Sequence, residues 1–190
     1  MIDNLNLQFR DNNIGIACLY ANYKDQKNQT VVNILGSLLR QFLITVPEPI
    51  PTEIIQELDN IRNCDMKAET PDILRWLKIR LRKLRRAFIC IDAVDELELE
   101  VRKQLFGKLR ELTNTRLFLT GRGHIEDEIQ KHFKVAQRYR VNITASDQNI
   151  REFLQKEIAD QITDDGDPDM MDDRLAKDIE DTITRKSRGM

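Results

Sequence analysis

The sequence is poor in glycine. It has seven: Gly15, Gly36, Gly107, Gly121, Gly123, Gly166 and Gly189. A phosphate-binding loop needs glycine, four residues, then Gly-Lys-Ser/Thr, so that successive backbone N–H groups can cradle phosphate oxygens. Only Gly107 precedes a lysine, and Lys108 is followed by Leu109 with no glycine five places earlier. The chain therefore contains no such loop. Cysteine is also scarce. Cys18, Cys64 and Cys90 form no close pair along the chain, which argues against a disulfide framework and for a reducing, cytoplasmic compartment. Cys18 and Cys90 fall inside apolar strand patterns, where a thiol acts as a small hydrophobe. No Cys/His cluster has zinc spacing, and no Ser/His/Asp constellation is legible. No apolar run approaches the roughly 18 residues of a spanning helix. The N-terminus is polar, with Asp3 and no signal-peptide core. A net charge of −2 gives no global field toward nucleic acid or an acidic membrane. With 190 residues, 41% hydrophobic and 33% charged, what remains is a soluble globular chain. It is large enough for one real core and a small appendage.

What is present is concentrated at Phe88-Ile89-Cys90-Ile91-Asp92-Ala93-Val94-Asp95-Glu96-Leu97. A short continuous apolar run reads as a strand buried on both faces. Carboxylates at its C-terminal end stand where open parallel α/β sheets keep their ligand crevice. This is the pattern of a Walker B element. Asp92 is the candidate Mg²⁺ ligand, direct or through water. Asp95 and Glu96 are the candidates for orienting the water that attacks a γ-phosphate. The bland alternative is a strand-end turn leading into a helix, because acidic residues favour helix starts in any case.

These residues resemble the NACHT family of signalling P-loop NTPases (the STAND class), and most of all its fungal branch with a nephrocystin-3-like N-terminal domain. Ile14-Gly15-Ile16-Ala17-Cys18-Leu19-Tyr20-Ala21-Asn22-Tyr23-Lys24-Asp25-Gln26 is similar to the family's second strand and following turn. Asn33-Ile34-Leu35-Gly36-Ser37-Leu38-Leu39-Arg40-Gln41 is similar to its next helix, and Arg116-Leu117-Phe118-Leu119-Thr120-Gly121-Arg122 to its sensor strand. The resemblance implies that Arg122 contacts the γ-phosphate or a neighbouring site element. Gly121 and Gly123 depart from the usual serine and proline there and loosen the turn. Residues 1–10 resemble the tail of the helix that follows the phosphate-binding loop, so the chain is expected to begin after that loop and to end early.

The fold expected is a partial three-layer αβα P-loop NTPase with a mostly parallel sheet lacking the P-loop strand. It would occupy residues 1–145, with the start of a helical subdomain in 146–190. Strands are expected at 14–22, 87–92, 116–120 and 139–143. A helix capped by Thr30 carries Val31, Ile34, Leu35, Leu38, Leu39, Phe42 and Leu43 at helical spacing, and residues 47–51 end it. Helices follow at 52–62 and from Thr70 as cap, with Ile73, Leu74, Leu77, Leu81 and Leu84 inward. Others are expected at 98–112, with Leu99, Leu105, Phe106 and Leu109 inward, and at 125–132. Ser146-Asp147 caps the next, residues 164–169 form an acidic loop, and 171–184 form the last. Without the P-loop strand, the sensor strand loses a neighbour, and residues 139–143 must pair there or drift free.

By resemblance the whole protein is a nucleotide-dependent switch, NLR-like, in which ATP or GTP with Mg²⁺ holds the NTPase closed and exchange permits self-assembly. Its partners would be an N-terminal effector and C-terminal repeats such as ankyrin or WD40 arrays, not nucleic acid or membrane. The chain alone, without its phosphate-gripping half, is expected to be inactive and to bind no nucleotide tightly. The alternative is a non-enzymatic interaction fragment or degenerate paralogue. The basic run Lys78, Arg80, Arg82, Lys83, Arg85 and Arg86 reads as a solvated helix end rather than a phosphate-contacting surface. His124 takes no role.

Overall fold

The computed structural model describes residues 13–45, 49–134, 139–143, 146–165 and 173–187. The expectations for residues 1–10, and for parts of the 47–51, 164–169 and 171–184 segments, lie outside these residues. The chain divides into two compact units, Met1–Ala136 and Gln137–Met190.

The first unit is α/β. Strands β1 (Ile14–Tyr20), β2 (Arg86–Asp92) and β3 (Thr115–Leu119) form a parallel sheet in the order β1-β2-β3. Helices α1 (Val31–Thr45), α2 (Thr52–Asn63) and α3 (Thr70–Arg82) connect β1 to β2. Helix α4 (Leu99–Arg110) connects β2 to β3, and α5 (Glu126–His132) follows. Strands laid down side by side through right-handed crossovers put their helices on one sheet face. Helices α1 and α4 accordingly touch one another. The face they cover carries Ala17, Ile89 and Ile91, all fully buried. Gly15 lies on it too: a Cβ there would stand 2.6 Å from Leu84 and 2.8 Å from Phe42, so only glycine admits this approach. The opposite face carries Cys18, Cys90, Asp92 and Phe118. There Tyr20 is 64% and Phe118 47% exposed.

The helical periodicity translates directly into burial. Val31, Ile34, Leu35, Leu38, Leu39 and Phe42 are buried along α1, and Ile73, Leu74, Leu77, Leu81 and Leu84 along α3 and its exit. Thr30 caps α1, its Oγ1 accepting from the Asn33 N–H at 3.3 Å. The cap of α3 is Glu69 rather than Thr70, and the Glu69 N–H donates to the Asp72 carboxylate at 3.1 Å. On α4, Leu105, Phe106 and Leu109 are buried, but Leu99 is the first helical residue and is exposed.

Arg80 corrects the reading of the basic run. It is fully buried, donating to the Phe42 carbonyl at 3.1 Å and the Pro49 carbonyl at 3.2 Å. The guanidinium thereby satisfies carbonyls where α1 ends, which an apolar residue would leave bare. Lys78 pairs with Glu111 at 2.7 Å.

The two sheet edges differ. At β1, the Gln41 side-chain amide donates to the Cys18 carbonyl and accepts from the Cys18 N–H, both at 2.8 Å. One step along, Gln29 accepts from the Asn22 N–H at 3.1 Å and donates to the Tyr20 carbonyl at 3.5 Å. Two glutamines thus stand in for a neighbouring strand. At β3, Thr120 and Asn114 bond toward β2. Alternation then points the N–H and C=O groups of Leu117 and Leu119 away from it. Among the described residues these groups have no strand partner.

In the second unit, the expected strand 139–143 is absent: these residues are irregular, and Tyr139, Val141 and Ile143 are exposed. An apolar–polar alternation makes a strand only where a ladder partner is available. Helices α6 (Asp147–Asp165) and α7 (Asp173–Ser187) follow. Ser146 Oγ accepts from the Asn149 N–H at 3.2 Å, as a cap should. Asp164 and Asp165, expected in a loop, complete α6. Arg151 ties the two helices together through Glu180 at 3.2 Å and Asp181 at 2.8 Å.

Candidate functional site

The site lies at the C-terminal ends of β2 and β3, where a parallel sheet opens. Asp92 is the last residue of β2. Thr120, just past β3, donates its hydroxyl to Asp92 Oδ1 and accepts from the Ala93 N–H at 2.9 Å. Its own N–H donates to the Ile91 carbonyl at 3.0 Å, and its carbonyl accepts from the Val94 N–H at 2.9 Å. One threonine thereby fixes the exit of β2. Ala93 adopts φ 52°, a left-handed conformation, and a short 3-10 turn, Val94–Glu96, follows. This reversal sends Asp95 and Glu96 to different neighbours.

Asp95 turns toward β3. Its side chain is 6% exposed, and its carboxylate accepts from the Arg122 N–H at 3.3 Å and stands 3.7 Å from Arg122 Nε. The Arg122 side chain is 79% exposed. Gly121 lies between them. A Cβ there would fall 2.6 Å from Ile125 and 3.2 Å from the Asp95 carboxylate, so close approach explains this glycine better than a loose turn does. Glu96 turns toward β1: its carboxylate accepts from the Tyr23 N–H at 3.1 Å, and its carbonyl from Gln26 at 3.3 Å. Tyr23, Gln26, Asp95, Glu96, Arg122 and His124 line a cavity of about 400 Å³. A second cavity, between α2 and α3 and lined in part by Glu57, Glu69, Asp72 and Arg75, lies away from these strand ends.

A buried arginine holds the acidic turn from below. Arg102, on α4, donates to the carbonyls of Leu97 at 3.0 Å and Asp95 at 3.3 Å, and to the Glu128 carboxylate at 2.8 and 2.9 Å. It is itself buried. Its place in the run Val101-Arg102-Lys103 carries no sign of this role. Thr120, Tyr23 and Gln26 also escape sequence reasoning as parts of the site, while His124, which the sequence reading gave no role, lines the cavity. Their only signal is position after a strand.

The structure brings Asp95, Glu96 and Arg122 around one cavity and sets Asp92 beside it on Thr120. Among the described residues no group of three or more His, Cys, Asp or Glu side chains is placed to hold a metal. Mg²⁺ does not need one, because it is commonly bound by one or two carboxylates with waters and substrate phosphates. Asp92 fits that part: it is exposed at the strand end, with one oxygen engaged by Thr120.

A family model described as Nephrocystin 3, N-terminal, matches residues 1–122. The chain belongs to that family. The nephrocystin 3 N-terminal match ends on Arg122 and so includes Asp92, Asp95, Glu96 and Arg122 themselves. No curated protein matches the chain. Among solved structures it is similar to the Walker-type ATPase PABY2304 of Pyrococcus abyssi, at 11% identity and a TM-score of 0.36. That superposition covers 83% of this chain and 56% of the ATPase, so the chain spans little more than half of that protein's length.

Proposed function

We propose that this nephrocystin 3 N-terminal family chain supplies the metal-and-water half of a triphosphate pocket in a NACHT-type, NLR-like signalling switch. The observation that carries the reading is the convergence of Asp95, Glu96 and Arg122 on one cavity at the strand ends, with Asp92 alongside. In this role Asp92 positions Mg²⁺ bound to nucleotide phosphates. Asp95 or Glu96 orients the attacking water, and Arg122 meets the γ-phosphate. When bound, Mg²⁺ neutralises charge on the β- and γ-phosphate oxygens. Arg122 is suited to its part because its guanidinium is exposed and only loosely tied to Asp95. The phosphate-gripping half, a glycine-rich loop with its lysine and hydroxyl, must come from residues outside this sequence. A cytoplasmic location, an effector domain and repeat arrays belong to the same proposal. No described helix is long and apolar enough to cross a membrane.

Titration calorimetry with Mg·ATP tests this on two forms of the protein. The 190-residue chain is expected to show no micromolar binding. A fusion that places a strand, a Gly-x4-Gly-Lys-Thr loop and a helix ahead of Met1 is expected to bind, and Asp92→Asn is expected to weaken that binding about tenfold or more, as for loss of a charged metal ligand. Micromolar binding by the unfused chain, or indifference of the fusion to Asp92→Asn, overturns the reading. A second reading, a non-enzymatic interaction module, is favoured by the open β3 edge and the exposed Phe118 beside it.

A further inference from the structure

Cys18 and Cys90 lie far apart in sequence but are direct register partners across β1 and β2. Both point to the sheet face that α1 and α4 leave uncovered. Adjacent strands run about 4.8 Å apart, and disulfide-linked residues usually have Cα atoms about 4.4–6.8 Å apart. Register partners at about that spacing fall within this range. The backbone at Cys18 is clamped on both its N–H and its C=O by Gln41, which fixes the direction of its side chain. Cys18 is half-buried, Cys90 buried, and Cys64, on the exit of α2, exposed.

We propose that Cys18 and Cys90 are a redox-active pair that closes to a reversible intramolecular disulfide when a hydroperoxide oxidises Cys18. The Cys18 thiolate, the more accessible, attacks the terminal peroxide oxygen. The O–O bond breaks, an alcohol (or water) leaves, and Cys18 becomes a sulfenic acid. The Cys90 sulfur then attacks the Cys18 sulfur. The S–O bond breaks, the S–S bond forms, and the departing oxygen takes the Cys90 proton to leave as water. Two thiols lose two electrons to one hydroperoxide, which balances the step. Cys90 is the more buried of the two, so the peroxide meets Cys18 first and Cys90 is left to the second, resolving step.

Closing the bond draws the two Cβ atoms from about the strand spacing to about 3.8 Å. Strand β1 has no strand beyond it among the described residues, so closure displaces only the side-chain amide of Gln41. The residual strain makes the bond easily reduced, as in regulatory disulfides. The bridge would stand two residues before Asp92 on β2 and two before Tyr20 on β1. It would therefore pin together the strand ends that carry the acidic turn and the Tyr23 loop.

The test uses the full chain carrying Cys64→Ser, which removes the exposed competitor. Folded protein is treated with hydrogen peroxide, the remaining thiols are alkylated, and the peptides are mapped by mass without reductant. The expected result is loss of both reactive thiols, a Cys18–Cys90 linked peptide in monomeric protein, and full recovery with dithiothreitol. Cys18→Ser should leave Cys90 unoxidised under the same exposure. The proposal is overturned if both thiols survive peroxide, if the linkage is intermolecular, or if the bridge forms only after urea has unfolded the chain. Circular dichroism of each variant separates the folded from the unfolded case.

Discussion

Glu57 accepts hydrogen bonds from the Trp76 indole N–H and from Arg75. The indole contact first, and Arg75 second, hold its carboxyl below the ordinary carboxylate range against the opposing effect of burial. A carboxylate depressed in the folded state contributes stability above its unfolded pKa and loses that contribution as pH falls through its folded pKa. The stabilisation by Glu57 is thus complete at neutral pH and disappears on the acid side. Trp76 is the only tryptophan, so its fluorescence reports this contact directly. Acid titration is expected to shift the emission with a midpoint below that of a free glutamate, and Glu57→Gln is expected to abolish that step. An emission unchanged by Glu57→Gln would show that the indole takes its environment from the core alone. Single-residue roles of this kind were the least legible in the sequence. Arg80 and Arg102 look like members of exposed basic stretches, yet both are buried on carbonyl groups. Composition says how many arginines there are. It does not say which of them backbone carbonyls will claim.

At the level of elements, α4 does more than bridge β2 and β3. Through Arg102 it grips the acidic turn and, through Glu128, the helix that follows the Arg122 loop. Removing one partner of a buried pair leaves an uncompensated charge, at a cost of about 3–5 kcal/mol. Arg102→Ala is therefore expected to lower the urea midpoint by that amount of stability. Arg102→Lys should recover only part of it, since a lysine cannot span two carbonyls and a carboxylate at once. Equilibrium unfolding of the two variants checks this. Element identity was the most legible part of the chain. The apolar run ending in Asp92 and the 3.6-residue periodicities of α1 and α3 predict strand and helix from local pattern, and both are found. Residues 139–143 show the limit of that logic, since an alternating pattern makes a ladder only where another strand lies beside it. The Cys18–Cys90 pairing is similarly invisible in one dimension, because only the register of β1 against β2 creates it.

For the whole molecule, the open flank of β3 sets the terms. Its outward N–H and C=O groups, with exposed Phe118 beside them, leave one side of a three-stranded sheet without a strand neighbour among the described residues. Such a sheet loses ladder energy and gains a template for self-pairing. The chain is expected to unfold below roughly 60 °C, the upper range of mesophile domains, and to aggregate on heating. Scanning calorimetry with light scattering checks both. A sharp, reversible transition well above that temperature would mean that the sheet is complete without further strands.

The glutamines along β1 give that open flank a direction. With Gln41 and Gln29 on one side, the described strands offer a newcomer the other, and two chains joined there through β3 leave only the glutamine-lined edges among the described residues. Sheet growth is a dead end after one addition. Association through the backbone would produce pairs instead of fibrils, and the stoichiometry would be written by two side-chain amides.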